Sequence, residues 1–259
     1  MRLAPLLLLL FPLVLVLVQL LLRWGLQRRT ELLRSAHSYR PLRRQETPVV
    51  VEVDVDSSPL FDSPAPEGAQ PHYLVFDTET QDVLHEEEVG EEVKLSPLIL
   101  LSWQVLDAGG ACLSEETHLI RRTSPITVEA TSLHGISTEE MEAEGEDLRL
   151  VLERFLRVVR EVKVLVAHNV RFHRTLLLSE LEAVGLPSTS LEKLPQLCTM
   201  ERGRVLGFKR SSSGEAMYPK LSELFGYLYL HQPEVHVRFH QKGLRDVRLL
   251  AACLRQLIV

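Results

Sequence analysis

Two acidic residues, Asp77 and Glu79, stand one residue apart directly after the short apolar stretch 72–76. That stretch is rich in β-branched and aromatic residues, which favours a strand, and alternate residues of a strand project from the same face. Two carboxylates on one face repel each other unless a cation lies between them, and oxygen ligands of this kind suit Mg²⁺ or Mn²⁺. Because the Asp-x-Glu pattern is common, two solvated acids at a strand end are the alternative interpretation.

The elements predicted around this pair are antiparallel strands first and helices afterwards. Strands are expected at 98–106 and 111–120, joined by the turn Asp-Ala-Gly-Gly at 107–110, where glycine supplies positive φ. A capping-box pattern, apolar residues at helical spacing and a short apolar run predict the later elements. The predicted elements are a helix start at 137–140, helices at 148–159, 172–184, 221–228 and 246–257, and a strand at 162–166. The fold class is therefore α/β, with a mixed sheet and flanking helices.

The sequence resembles the DEDDh 3′–5′ exonucleases, an RNase H-like family that includes proofreading subunits, in several motifs that occur in the family's order. Residues 73–80, YLVFDTET, resemble the first motif, and LHGIS at 133–137 resembles the connector after the third strand. VAHNVRF at 166–172 resembles the start of the second motif, and DVRLL at 246–250 the end of the third. The resemblance implies an RNase H-like fold for residues 71–259.

The resemblance also implies a catalytic site with two divalent cations, Mg²⁺ or Mn²⁺, held by four carboxylates. Asp77, Glu79 and Asp246 match three of the four, and a histidine before Asp246 would act as the general base. The substrate implied is the 3′ end of DNA or RNA. The residues expected to contact it are Thr78, His168 and Asn169, although for His168 a role in shaping a backbone turn is the alternative.

Two positions depart from the family's pattern. His173 stands where the second-motif acid is expected; it could bind Mn²⁺ or Zn²⁺ through a ring nitrogen, or it could be a neutral spectator. The family's histidine precedes its aspartate by five positions, where this chain has Gln241, and His240 lies one position too early. A one-residue bulge in the loop would restore His240 as the catalytic base.

These departures leave two hypotheses for the function. The first is a metal-dependent exonuclease that removes nucleotides from 3′ ends by a two-metal mechanism. The second is a catalytically inactive exonuclease fold, held at a membrane, that binds nucleic acid or protein. Loss of a second-motif acid weakens one metal site, and the two metals work as a unit. Residues 71–259 carry 21 bases and 28 acids, so this domain is not expected to coat nucleic acid through a basic face.

The N-terminal segment is predicted to be a transmembrane anchor. Residues 3–22 are apolar except for Pro5, Pro12 and Gln19, and a helix of this length spans about 30 Å, the thickness of a hydrocarbon core. A cleaved signal peptide or an organelle-targeting sequence is the alternative, although the run is longer than usual and no small-x-small site follows it. Seven arginines lie between residues 23 and 44, which favours a cytoplasmic side for the rest of the chain.

The chain therefore divides into three predicted parts. Residues 1–24 are the anchor or signal segment. Residues 25–70 are a linker, basic at first and then rich in proline, serine and acid, a composition with little apolar mass. Residues 71–259 are the exonuclease-like domain.

Overall fold

The structure, a computed structural model, describes residues 51–54, 61, 64–83, 95–231, 235–238 and 243–258; for 51–54 and 235–238 it describes the backbone alone. None of the helices in these ranges is long and apolar enough to cross a bilayer. The predicted anchor at 3–22 lies outside the described residues, as do His240 and Gln241.

A five-stranded mixed sheet forms the centre of the domain. The chain runs through β1 (Val51–Asp54), β2 (Tyr73–Thr80), β3 (Leu98–Leu106), β4 (Cys112–Leu119), β5 (Val164–Ala167), β6 (Gln196–Cys198) and β7 (Val235–Arg238). The sheet has the order β4-β3-β2-β5-β6, and β1 pairs with β7 in parallel in a sheet of their own. β2, β3 and β4 are antiparallel neighbours, whereas β5 and β6 continue the sheet in parallel. The mixed direction and the hairpin predicted from the sequence are confirmed.

Among the described residues, helices begin after β4. They are α1 (Val128–His134), α2 (Thr138–Glu144), α3 (Leu148–Val159), α4 (Val170–Ala183), α5 (Thr189–Lys193), α6 (Thr199–Leu206), α7 (Leu221–Phe225), a π-helical segment (Gly226–Leu230) and α8 (Leu244–Leu257). α2 begins with the predicted capping box, in which Ser137 and Glu140 each accept a hydrogen bond from the other's backbone N–H. α3 matches the predicted bounds, and its N-cap Asp147 accepts from Leu150 N at 3.1 Å.

Apolar residues cover both faces of the sheet, and the strand period decides which face each residue joins. Leu74 and Phe76 of β2 belong to the cluster that contains Phe155 of α3 and Leu177 of α4. Val75, which lies between them, belongs to the cluster that contains Leu250 of α8. The alternation therefore directs the odd-numbered side chains of β2 toward α8 and the even-numbered ones toward α3 and α4.

Residues upstream of the predicted domain boundary also contact the domain. β1 pairs with β7 over four residues, and Phe61 stacks on Phe225 with 5.5 Å between ring centroids. Ala65 N donates to Cys112 O at 3.1 Å. The sequence indicated only a linker here, because four β-prone residues carry no local sign of a partner that lies 184 positions later.

Candidate active site

Three carboxylates converge at the end of β2. Asp77 and Glu79 continue the odd-numbered face of β2 beyond Val75, and Asp246 lies in the first turn of α8, which packs on that face. One carboxylate oxygen of each lies within 4.8 Å of the others. Among the residues that the structure describes, this is the group of carboxylates, imidazoles and thiols that could hold a metal ion. The structure thus brings together the three acids that the sequence nominated.

Two contacts fix the start of α8 and with it the position of Asp246. Gly243, at φ +85°, lies so close to the sheet that a Cβ atom would stand 2.4 Å from Ser102 Oγ. One turn after it, Arg248 Nε donates to Glu115 Oε2 of β4 at 3.1 Å, and Gln104 donates to the same oxygen at 2.8 Å. The helix N-terminus is therefore held against β3 and β4, because glycine permits the close approach and a charge-assisted pair fixes the register.

The carboxylates of Asp77 and Glu79 are poorly compensated. Burial, together with repulsion from Asp246 and Glu79, raises the pKa of Asp77 well above its ordinary value. Burial and repulsion from Asp246 raise the pKa of Glu79 to about 7. Arg245 is the cation that opposes this repulsion, since it acts to lower both pKa values. A divalent cation would relieve the same repulsion, so this donor set of carboxylate oxygens fits Mg²⁺ or Mn²⁺.

His173 faces Asp77 but belongs to a different set of contacts. Its Nε2 lies 3.0 Å from the carbonyl oxygen of His168 and 3.4 Å from Asp77 Oδ1, so this nitrogen carries the ring hydrogen. Its Nδ1 lies 2.7 Å from the hydroxyl of Thr78, which donates to it. Burial lowers the pKa of His173 to about 4, so the ring is neutral near pH 7. Both ring nitrogens make hydrogen bonds, and His173 lies outside the group of three carboxylates, so its role as a metal ligand stays a prediction.

The three candidate substrate contacts occupy different environments. Thr78 is buried with its hydroxyl on His173, because the even-numbered face of β2 points toward α4. His168 uses both ring nitrogens: Nδ1 lies 3.0 Å from Thr199 Oγ1 and Nε2 lies 2.9 Å from Pro219 O. It therefore joins β5 to α6 and to the segment before α7, as its alternative role in shaping the backbone predicted. Asn169 begins α4 at φ +72°, and its side chain makes no capping bond.

Sequence reasoning did not nominate Arg245. Its guanidinium forms a two-point ion pair with Asp246, at 3.1 Å from Nε to Oδ1 and 2.8 Å from Nη2 to Oδ2. The signal in the sequence is only that a base directly precedes a candidate metal ligand, and adjacent residues of a helix generally point in different directions.

The family model described as Exonuclease (RNase T) matches residues 74–236, which is more than half of the chain. The chain belongs to this exonuclease family. It is of the DEDDh 3′–5′ type, in agreement with the resemblance found in the sequence. No curated protein gives a significant match to the chain.

Solved exonucleases share the fold. The chain resembles E. coli exonuclease I in complex with a dA16 oligonucleotide, with a TM-score of 0.57 and 14% identity over 73% of this chain and 41% of that one. It also resembles a product-bound exonuclease I, with a TM-score of 0.56 and 14% identity over 73% of this chain and 43% of that one. A third match is a zinc-bound complex of E. coli exonuclease I with single-stranded DNA. Its TM-score is 0.56, with 14% identity over 73% of this chain and 40% of that one. The chain thus spans less than half of the length of these proteins.

In this member of the exonuclease family, the carboxylates of Asp77, Glu79 and Asp246 lie together. α4 starts shortly after β5, and this places Nε2 of His173 3.4 Å from Asp77 Oδ1. The chain therefore combines the exonuclease family's fold with a cluster of three acids that a neutral imidazole faces.

Proposed function

We propose that the chain is a metal-dependent 3′–5′ exonuclease-like protein that acts on or binds the ends of nucleic acids. The observation that carries this proposal is the convergence of Asp77, Glu79 and Asp246 within 4.8 Å in a member of the exonuclease family. The raised pKa values of Asp77 and Glu79 support it, because uncompensated carboxylates of this kind cluster at functional sites.

Mg²⁺ or Mn²⁺ is the proposed cofactor, in the two-metal arrangement of the family. Divalent cations bound at such carboxylates activate a water molecule and stabilise the leaving oxygen of a phosphodiester. Asp77, Glu79 and Asp246 would hold them, and His240 is the proposed general base for the water. Asn169, at the start of α4, is proposed to donate to the substrate, and the partner is a DNA or RNA 3′ end.

A second function is supported by the contacts of His173. Its neutral ring supplies no negative charge where the family pattern has an acid, and both ring nitrogens are engaged in hydrogen bonds. A site with one acid fewer binds Mg²⁺ more weakly and loses turnover, because the two metals act as a unit. The alternative proposal is therefore a catalytically inactive module that binds nucleic-acid ends, or protein, without cutting.

A nuclease assay combined with a binding assay separates the two functions. Full-length chain is incubated with fluorescent single-stranded DNA or RNA in Mg²⁺, in Mn²⁺ and in EDTA. Progressive shortening from the 3′ end that Asp77→Asn abolishes would establish the exonuclease. Metal-dependent binding without shortening would establish the binding module. Glu142→Gln, which removes an exposed carboxylate on α2, serves as the matched control. Absence of both binding and shortening would contradict the proposal.

We further propose that residues 3–22 anchor the chain in a membrane, with the domain on the cytoplasmic side. The support is the length of the apolar run and the arginines that follow it. Full-length chain should stay with membranes after carbonate extraction, and a variant lacking residues 1–24 should be released. Recovery of the intact chain in the soluble fraction would contradict the anchor, and cleavage near residue 24 would indicate the signal-peptide or organelle-targeting alternative.

A further inference from the structure

Arg245 donates hydrogen bonds to both carboxylate oxygens of Asp246, one of the proposed metal ligands. Nε and Nη2 of the guanidinium reach Oδ1 and Oδ2 of Asp246 at 3.1 and 2.8 Å. This is the two-point geometry in which arginine binds a carboxylate most specifically. Each oxygen of Asp246 that would coordinate a cation is therefore already accepting a hydrogen bond from Arg245.

The guanidinium also acts on the other two carboxylates. Besides its hydrogen bonds to Asp246, its positive charge attracts the carboxylates of Glu79 and Asp77. Among the residues that the structure describes, Arg245 is the cation that acts on the carboxylates of both Asp77 and Glu79. Arg245 thus supplies part of the compensation that a divalent cation would supply.

The side chain is also able to leave. Arg245 is 40% exposed, whereas Asp246 is 21% exposed. A guanidinium at this exposure can turn toward solvent without taking a charge out of water, so its displacement costs mainly the ion pair itself. The carboxylate of Asp246, by contrast, is held in place by the contacts of Gly243 and Arg248 with the sheet.

We propose that Arg245 is a resident counter-cation that competes with the divalent cation for Asp246 and thereby sets the affinity of the site for metal. The inference rests on the proposed metal site and adds a residue that controls its occupancy. Removing the guanidinium should free both oxygens of Asp246 and increase the net negative charge of the site. Tighter cation binding should result, together with a less stable protein when no metal is present.

Mn²⁺ titration of the full-length chain tests this competition directly. Arg245→Gln keeps a side chain of similar length without the charge, and we expect it to bind Mn²⁺ about tenfold more tightly than the wild type, the scale of one charge-assisted ion pair at partial exposure. Arg245→Lys, which places a single point charge, should lie between the two. Arg157→Ala removes the same charge from an exposed position of α3 and should leave the affinity unchanged.

Thermal unfolding gives a readout that is independent of titration heats. In EDTA, Arg245→Gln should unfold at a lower temperature than the wild type, and saturating Mn²⁺ should raise its midpoint by more than it raises that of the wild type. Arg245→Ala serves as a second variant for the same comparison. If Arg245 only stabilises the fold, Arg245→Gln should lower the unfolding midpoint by the same amount in EDTA and in Mn²⁺.

The possible failures are distinguishable. If wild type binds Mn²⁺, Asp77→Asn does not, and Arg245→Gln binds no more tightly than wild type, then the metal site stands and the competition is wrong. If neither the wild type nor the Arg245 variants bind Mn²⁺, the metal site of the proposed function is wrong, and the inference falls with it.

Discussion

Two groups of ionisable side chains lie on the same sheet and differ in how their charges are matched. On β4, His118 presents Nδ1 to Glu146 at 2.6 Å and Nε2 to Glu116 at 3.1 Å, and Arg154 forms an ion pair with Glu146. Burial acts to raise the pKa of Glu146, but hydrogen bonds from His118 and Arg154 lower it below its usual value. At the end of β2, the described residues set one guanidinium, that of Arg245, against three carboxylates, and the pKa values of Asp77 and Glu79 are raised.

The difference separates a structural group from a candidate functional one. In the His118 group each acid has a base or an imidazole as its partner, so the charges stabilise the contact between β4 and the start of α3. In the carboxylate group the folded protein holds like charges together at a cost to its own stability. Binding of a ligand can offset this loss of stability, and the ligand expected here is a cation. Composition alone cannot separate the two groups, because both combine acids with arginine.

The largest effect is expected from Asp77→Asn. Removing this carboxylate should weaken Mn²⁺ binding by about 100-fold or more, because the remaining oxygens no longer enclose the cation. The same substitution should stabilise the metal-free protein near pH 8, since it removes repulsion with Glu79 and Asp246. Calorimetric titration measures the first effect and thermal unfolding in EDTA the second. A loss of stability in EDTA would indicate that Asp77 belongs to a matched group like that of His118.

The next effect is on the pH dependence of stability. The pKa of Glu79 is raised from 4.5 to about 7, so its proton is bound more tightly in the folded state than in the unfolded one. The contribution of this group to stability is therefore present below pH 4.5 and is lost as the pH rises through 7. His173, whose pKa is lowered to about 4, acts in the opposite direction below pH 6.5.

Glu79→Gln isolates the contribution of Glu79. In EDTA, the free energy of unfolding of the wild type should fall relative to that of Glu79→Gln between pH 5 and 8, by on the order of 2 kcal/mol after allowing for partial solvent screening. Denaturant unfolding at several pH values measures this difference. A difference that stays constant with pH would show that the carboxylates are compensated. Saturating Mn²⁺ should reduce the difference, because it stabilises the ionised form of Glu79.

Much of this site could be predicted from the sequence because its parts are local. The Asp77 and Glu79 pair follows from strand alternation, and the β3–β4 hairpin and the α2 capping box follow from short patterns. The placement of Asp246 came from the family resemblance. The pairing of β1 with β7 could not be predicted, because four residues on each strand carry no sign of a partner so distant in sequence.

The hydrogen bonds of His173 could not be predicted from the sequence either, because they depend on the assembled fold. Its position in the second motif was visible in the sequence, but its hydrogen bonds were not. The carbonyl oxygen of His168 and the hydroxyl of Thr78 reach its two nitrogens only when β5, α4 and β2 are assembled. The two-point contact of Arg245 with Asp246 could not be predicted from the sequence, because it depends on a side-chain conformation.

His173→Asp is expected to have a smaller effect on metal binding than Asp77→Asn. An aspartate at this position would restore the fourth acid of the family's pattern and add a negative charge beside Asp77. We expect Mg²⁺ and Mn²⁺ to bind about tenfold more tightly, consistent with one added carboxylate ligand near a divalent cation. Poor Mg²⁺-dependent degradation by the wild type should improve, and we expect full activity to require Gln241→His as well. Robust turnover by the wild type that neither substitution improves would contradict this interpretation of His173.

The smallest effect is expected in the His118 group. Glu146→Gln removes the charge from the carboxylate that His118 and Arg154 share, and we expect a loss of stability of about 0.5–1 kcal/mol, because Glu146 is 36% exposed and water screens the pair. The affinity for Mn²⁺ should not change, and Glu116→Gln should behave in the same way. Denaturant unfolding and Mn²⁺ titration of both variants measure the two quantities. If either substitution alters Mn²⁺ binding as Asp77→Asn does, then charge matching fails to distinguish the functional group from the structural one on this sheet.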